Sequence, residues 1–452
     1  MANPERTPED LTALARKTVE LALAAGADEA EAYLTVENYL SLTARKQEVE
    51  KIEQAVVTGL GLKVFKNRQK AYVTGSALSE AAIREMARRA LDYAVETSVE
   101  EANRLPDEAR GESELSLFDD ELARRGLEEK LGLLRRLEEA AYTADPRIDN
   151  TQEASYWDGT FEKAHANSRG LLARERKTHC GVSLGVIARA GDERQVGGQY
   201  QTVRRFAAIE PETVGREAAA VAARKLGARP VTSCRAPVVL DNRVGLRFLG
   251  YIIGAVNGER VALNETFLAG KLGTAIAPSH VHLIDEADRP EGYANSVVDG
   301  EGVPTSNRRI VDGGVLTTYL HNFYSALKTG AHPTGSVQRG SYEREGSIGA
   351  HNLHLAPGTA TRDEVIASVP AGLFVTDLMG MGLNLVSGNY SIGASGVWIE
   401  NGQLTHPVER VTIASNIGDM LMGIEEIGSD LHFWAGTGCP TFKLREMAIS
   451  GR

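Results

Sequence analysis

Cysteine is scarce: Cys180, Cys234 and Cys439 are the only three in 452 residues, an odd number, widely separated and without a C-x-x-C pair. That argues against a disulfide framework and against a structural zinc knuckle, and each reads as a buried thiol. The chain has no uninterrupted apolar run of the roughly 20 residues that a bilayer span needs. Its opening, Met1-Ala2-Asn3-Pro4-Glu5-Arg6, lacks the basic and then apolar segments of a secretory leader, so the expected location is the cytoplasm. Basic runs are missing too. With a net charge of −11 and a pI near 5.5, neither nucleic acid nor an anionic membrane surface is a default partner. No internal repeat or low-complexity tract breaks the pattern. A G-x-x-x-x-G-K-[ST] loop is absent, and Gly380-Met381-Gly382 lacks the third glycine of a dinucleotide fingerprint. Gly393-Ala394-Ser395-Gly396 is one residue short of a G-x-S-x-G elbow and reads as a tight turn.

What is present reads as α+β. A hydrophobic content of 42% supports a large core and two or three structural units. Thr7 followed by Pro8 predicts a capped helix start; Leu11, Leu14, Ala15, Thr18, Leu21 and Ala22 then share one face, and Gly26 provides the stop. From Glu29 to Gly75 the period becomes two, with Ala30, Ala32 and Leu34, then Leu60, Leu62 and Val64, alternating with polar residues around a turn near Asn67. Ser79 and Glu80 open a second helix whose Ile83, Met86, Ala87, Ala90, Leu91 and Ala94 fall on one face. Residues 1–100 therefore read as a helix, an antiparallel sheet and a helix packed in layers. The acidic stretch from Glu96 to Glu121, with Pro106 and Gly111, reads as an exposed connection into a central α/β unit, 101–230. That unit holds a leucine-spaced helix (Leu127, Leu131, Leu134, Leu137), strand-like segments near 150–157, 171–188 and 195–206, and a helix from Pro211 to Leu226 ended by Gly227. Residues 231–452 are rich in glycine, short alternating segments and the turn dipeptides Asp312-Gly313 and Asn401-Gly402, which predicts a β-rich domain.

Ten histidines justify a search for metal ligands, which must converge at about 2 Å from an ion. His280 and His282, with Asp285 or Glu286 as a third donor, are one candidate set, although Pro278 and Ser279 place them in a loop or sheet edge. His351 and His354 differ by three, so an extended segment sends them to opposite faces. His321 and Tyr324 either line a polar cleft or, for the histidine, make an ordinary buried hydrogen bond. The residues alone go no further than a protein of two or three units without an evident catalytic constellation.

The C-terminal half carries a more specific pattern. In order and spacing it contains Asp299-Gly300-Glu301-Gly302-Val303, Pro333-Thr334-Gly335, Ser387-Gly388-Asn389-Tyr390-Ser391, and the run from Gly393 through Trp398 to Gly402. Pro407-Val408 and Gly428-Ser429-Asp430-Leu431 follow, and Asn167-Ser168-Arg169-Gly170 agrees upstream. These segments resemble the TldD/PmbA family of metalloproteases over nearly the whole chain. In the TldD branch a helix early in this domain carries H-E-x-x-x-H, with two zinc-binding histidines and a glutamate that serves as general base. Here the resemblance puts Gly250, Tyr251 and Ala255 at those positions. None offers what is lost: glycine and alanine have no lone pair for zinc, and a phenol with an ordinary pKa near 10 is a poor base at neutral pH. Cys439, the candidate for the branch's cysteine ligand, falls later than the ligand position. The pattern is that of the PmbA (TldE) branch.

That resemblance implies a chain with no catalytic residue, metal or cofactor of its own. It implies a heteromeric complex in which a TldD-like subunit supplies zinc and this chain shapes a chamber for unfolded peptides or small peptide precursors, such as those of ribosomally made antibiotics. Extended peptides can be held there by strand addition, and His321, Tyr324, Asn389, Tyr390 and Ser391 are the expected lining. Two other readings stay open: a self-associating peptide-binding scaffold, and an independent hydrolase using His280 and His282.

Overall fold

The switch from a helical to a two-residue apolar period near Gly26 is the first architectural boundary of the chain. The computed structural model describes residues 8–451, so the Thr7 cap lies outside the described residues. Helix α1 (Pro8–Ala24) ends at Gly26, whose φ of 114° suits glycine alone. Strands β1 (Glu29–Arg45) and β2 (Glu48–Lys66) form a long hairpin, and β3 (Gln69–Gly75) follows. Both connections are two-residue turns with positive φ at each position, Lys46-Gln47 and Asn67-Arg68, whose twist matches that of the strands. Helix α2 (Glu80–Ala94) is capped by Ser79, which accepts a hydrogen bond from the Ala82 N–H.

Next come β4 (Gly111–Leu117), α3 (Leu127–Ala144), β5 (Ile148–Asn167), β6 (Leu171–Ala190), β7 (Glu193–Val203) and α4 (Pro211–Ala223). The first two units share one seven-stranded sheet, ordered β3-β2-β1-β5-β6-β4 with β7 on the remaining length of β6. β1 runs antiparallel to β5 from Glu31↔Asn167 to Ala44↔Ala154. The stretch expected to be an exposed connection is different: β4 pairs in parallel with β6, and Leu105 and Ala109 are fully buried. Ser113, Leu115 and Leu117 turn to the less exposed side of that strand, a period masked in the sequence by acidic composition.

One face of the sheet is covered by helices. Ala30, Ala32 and Leu34 pack with α1 and α2, while Leu42 and Ala44, further along the same face, pack with α3 and α4. The opposite face is polar, as the alternation predicts, yet it is not in water. Glu31, Tyr33, Lys63, Lys163, His165 and Glu175 are all buried, with residues 296–346 of the last domain lying against them.

That domain begins with β8 (Cys234–Leu240), α5 (Asn242–Ala255), α6 (Gly258–Ala262), β9 (Leu283–Glu286), β10 (Arg308–Asp312) and β11 (Val315–Leu316). It continues through α7 (Phe323–Thr329), β12 (Val337–Gln338), β13 (Ser347–Ile348), β14 (Asn352–Leu355), α8 (Arg362–Ala367), β15 (Ala371–Met379), β16 (Asn389–Glu400) and β17 (Gln403–Asn416). The last elements are α9 (Ile417–Met422), β18 (Ile424–Ile427), β19 (His432–Trp434), β20 (Thr437–Cys439) and β21 (Phe442–Ser450). Strands β17, β16, β15, β8 and β21 follow one another, and β21 pairs back onto β17 to close a barrel. A second sheet, β11-β10-β9-β14-β20-β19, lies beside it; the expected turn at Asn401-Gly402 is present, and the one expected at Asp312-Gly313 falls one residue later, at Gly313-Gly314, because Asp312 still pairs with Val315. The fold is therefore α+β with a β-rich C-terminal domain. Helix α5 buries Val244, Phe248, Leu249, Ile252 and Ala255 in the core of this domain, so its other side faces outward.

Candidate functional site

Asp241 starts α5 by accepting a hydrogen bond from the Arg243 N–H with its side chain. The helical repeat then places Arg247, Gly250, Tyr251 and Gly254 on the outward side, since residues three and four apart lie above one another. A β-carbon built at Gly250 meets no atom within 4 Å, and one at Gly254 meets only the tip of Leu385, at 3.9 Å. Ala255 does not belong to this row. It is wholly buried, because five residues carry a helix about 140° around its axis. Of the three positions compared with H-E-x-x-x-H, two face outward and the third faces the core.

Tyr251 is held in place. Arg247 Nε donates to its hydroxyl at 2.9 Å, and the other end of the guanidinium reaches the Gly380 carbonyl. The Tyr251 ring meets Tyr390 edge to face, with centroids 5.8 Å apart. Burial and the neighbouring Tyr251 push the Tyr390 phenol upward, so it stays neutral. Tyr390 sits at the start of β16 beside Leu383, and Ser391 N–H donates to the Gly382 carbonyl. Asn389 and Ser391 are exposed at the same rim.

His321 and Tyr324 are elsewhere. His321 is buried against Gly258, with Nδ1 3.1 Å from Ser325 Oγ, and burial lowers its pKa. Tyr324 is 39% exposed on α7, under Lys328. The structure thus brings Asn389, Tyr390 and Ser391 together with Tyr251, and leaves His321 and Tyr324 lining two other hollows.

The residues around α5 do not fit a zinc ion. Cys439 packs against Gly245, more than a turn before Gly250, where a β-carbon would come within 2.4 Å of its sulfur. Its thiol is fully buried, donates to the Pro440 carbonyl at 3.3 Å and is pushed well above its ordinary pKa by that burial; the donor zinc needs is the thiolate. The alternative set is also dispersed. His280 is exposed ahead of β9, and His282 turns to Asp312, 2.7 Å away. Asp285 points to the other face, where it accepts from the His351 N–H at 2.7 Å. His351 and His354 separate as their spacing predicts, toward Asp285 and Glu286 respectively. Among the described residues no three His, Cys, Asp or Glu side chains are grouped closely enough to hold a metal.

Comparison with known proteins gives this arrangement a lineage. Residues 30–94, 120–226 and 233–451 match in turn domain 1, the central domain and the C-terminal domain of the PmbA/TldA metallopeptidases. The chain is 32% identical over 437 residues to Metalloprotease PmbA of Escherichia coli O157:H7, covering 96% of this chain and 94% of that one. The chain belongs to the PmbA/TldD metallopeptidase family. A PmbA homolog from Haemophilus influenzae is likewise 32% identical, over 96% of this chain and 94% of its own. The crystal structure of TldE from Thermococcus kodakarensis has the same fold at 19% identity, with a TM-score of 0.87 over 97% of this chain and 100% of that one.

Two charged clusters in this PmbA/TldD chain escaped the sequence reading. The first lies where the polar sheet face meets the last domain. Glu31 Oε1 accepts from Arg339 Nη1 at 2.7 Å, with Lys63 Nζ and His165 Nε2 each 3.5 Å from the carboxylate. Burial alone would raise the Glu31 pKa, but Lys63, His165 and Arg339 outweigh it and hold the carboxyl well below its ordinary value. Beside them, burial raises Asp299 to about 6 and Glu301 to about 7, even though Asp299 accepts three backbone hydrogen bonds, from Glu301, Val303 and Val337. The second cluster, of arginines, surrounds the N-terminal end of α5. The only sequence signal for the first is charge inside an alternating strand; for the second there is none, because its members come from three separate segments.

Proposed function

We propose that this chain is the subunit without a zinc centre in a TldD-type peptidase complex that acts on unfolded peptides or peptide precursors. The observation that carries the reading is the outward row of α5: Arg247, Gly250, Tyr251 and Gly254 contain neither an imidazole nor a carboxylate, and Tyr251 is tied to Arg247 and Tyr390. Hydrolysis of an amide by a metal-activated water needs ligands and a general base, and this row provides no such group. Zinc belongs to the TldD-like partner, and no step of the reaction passes through an ion on this chain. The contribution of α5 and the Gly380–Ser391 rim is a wall of hydroxyls, backbone and open helix surface, suited to guiding an extended main chain. The cytoplasm is the proposed location, in keeping with three unpaired cysteines.

Co-expression with a TldD-like chain from the same genome tests this directly. The expected result is a stable complex with one zinc site per pair and peptidase activity, while this chain alone contains no stoichiometric zinc and cleaves nothing. Stoichiometric zinc or peptidase activity in this chain alone refutes the reading, and so does failure to form a complex. A self-associated form that binds peptides equally well without any partner would make it a scaffold instead.

A further inference from the structure

The N-terminal end of α5 opens on a cavity of about 620 Å³ between the central unit and the last domain. Arg224 and Lys225 follow α4, Arg243 and Arg247 lie on α5, and Arg362 opens α8; three carboxylates, Glu217, Asp241 and Asp377, share the same walls. In a chain of net charge −11 this lining is locally cationic. Most of these groups have partners. Arg243 donates to the Gly198 carbonyl at 2.9 Å and to Gln199 Oε1 at 3.1 Å, Lys225 reaches Asp377 at 3.2 Å, and Arg247 serves Tyr251.

Two do not balance. Arg362 touches Asp241 Oδ2 with Nη2 at 3.2 Å, and its Nε is buried without an acceptor. The Arg224 side chain is half-buried and makes no hydrogen bond or close ion pair among the described residues. One carboxylate, Asp241, already engaged in capping α5, contacts Arg362 and is felt by Arg224 only at longer range. Burial and the nearby Arg362 both depress the Arg224 pKa, the direction expected of a cation short of an anion. The first backbone N–H groups of α5, a helix of fourteen residues, add the positive end of its dipole to the same space. Trp434 supplies an apolar surface on the cavity wall.

We propose that this cavity is a carboxylate-binding site that takes the C-terminal end of a peptide, with Arg224 and Arg362 as the groups that receive it. Guanidinium groups match a carboxylate in shape and charge, and a chain terminus is the one anion that every unfolded peptide carries regardless of sequence. The inference rests on the reading of peptides as the substrate class; it adds where their ends are held.

Isothermal titration of the full chain separates the outcomes, using a short unstructured peptide as the free acid, the same peptide amidated at its C-terminus, and inorganic phosphate. The free acid is expected to bind at least about tenfold tighter than the amide, as one charge-assisted hydrogen-bonding group provides. Arg224→Gln should abolish that preference and Arg224→Lys should keep part of it. Among the described residues the Arg224 side chain has no hydrogen-bonded partner to lose, so the thermal stability of both variants should stay close to or above that of the parent, which separates a lost ligand from a lost fold. Equal affinities for acid and amide overturn the proposal while leaving peptide binding intact, and a preference that survives in Arg224→Gln overturns it as well. Phosphate binding without an acid-over-amide preference would reassign the cavity to free oxyanions. Failure of both peptide forms to bind removes this site and counts against the peptide reading, which the co-expression experiment judges independently.

Discussion

Arg339 is the keystone between the seven-stranded sheet and the last domain, and replacing it with methionine is the sharpest test of how those parts are joined. Its side chain and that of Glu31 are each 1% exposed. Nη1 donates to Glu31 at 2.7 Å and to the Gly300 carbonyl at 3.3 Å, Nη2 donates to the Tyr72 hydroxyl at 2.8 Å, and the guanidinium lies 3.8 Å from the centre of the Tyr33 ring. Methionine keeps the aliphatic bulk and removes every one of these interactions. Breaking a buried ion pair by removing one partner costs about 3–5 kcal/mol, because the other charge is left uncompensated. Here Lys63 remains near Glu31, so the lower end, about 3 kcal/mol, is expected. Glu31→Gln should destabilise the fold as well. The double variant should cost less than the sum of the two by about 1–3 kcal/mol, since the second change removes a charge that the first left stranded. The assay is urea unfolding at pH 7, followed both by tryptophan fluorescence and by circular dichroism so that separate melting of the two parts is seen. A cost under about 1 kcal/mol for Arg339→Met, the range of exposed pairs, would refute the account, as would simple additivity.

Three further outcomes follow from the same geometry. Glu301 has its carboxyl pKa raised to about 7 by burial and by Asp299, so its contribution to stability is fully present below the ordinary value near 4.5 and is lost as pH rises through 7; Glu301→Gln should flatten that limb of a stability–pH profile. Gly250→Ala should stabilise the chain by about 0.5–1 kcal/mol in a thermal melt, as nothing lies within 4 Å of the added methyl, whereas Gly258→Ala should destabilise it by about 1–3 kcal/mol, because the methyl would fall 2.8 Å from the Leu320 carbonyl and against the His321 ring. A thiol reagent should titrate one cysteine in the native chain, the exposed Cys234, and all three in denaturant, since Cys180, pushed up to about 12, and Cys439 are buried.

Local signals carried far along this chain where local physics decides. Gly26, Ser79 and Asn401-Gly402 act within a few residues of themselves, as stop, cap and turn, and each is found in that role. The strand β4 was hidden because Glu112 and Glu114 alternate there with Ser113 and Leu115 at a sheet edge, where composition resembles that of a solvated loop. Glu31, Tyr33 and Lys63 were recognisable as one face of a sheet but not as a buried one, since what covers them lies about three hundred residues later. The same limit applies to the cleft. That Gly250 and Tyr251 look outward follows from helical spacing, but the contact of Tyr251 with Tyr390 and the gathering of Arg224, Asp241 and Arg362 are products of tertiary structure.

The position of the ion network bears on how the cleft keeps its shape. Replacing buried charges with well-packed apolar residues is often neutral or stabilising, so the Glu31–Arg339–Lys63 cluster is not explained by stability alone. An apolar contact between a sheet face and a barrel domain tolerates sliding by a residue, because hydrophobic attraction has no direction. Charged contacts at 2.7–3.0 Å do not, and here they pair Glu31 of β1 and Lys63 of β2 with the loop that carries Arg339 and Glu345. The same loop follows β12, whose Val337 N–H donates to Asp299 in the segment leading to Glu301, and Glu301 in turn accepts from the Phe323 N–H that starts α7. From α7 the chain of contacts passes through His321 to Gly258, just beyond the end of α5. Fixing the sheet against Arg339 therefore also sets the register of the segments that support α5, and a change that loosens the network should disturb the cleft without touching any residue that lines it.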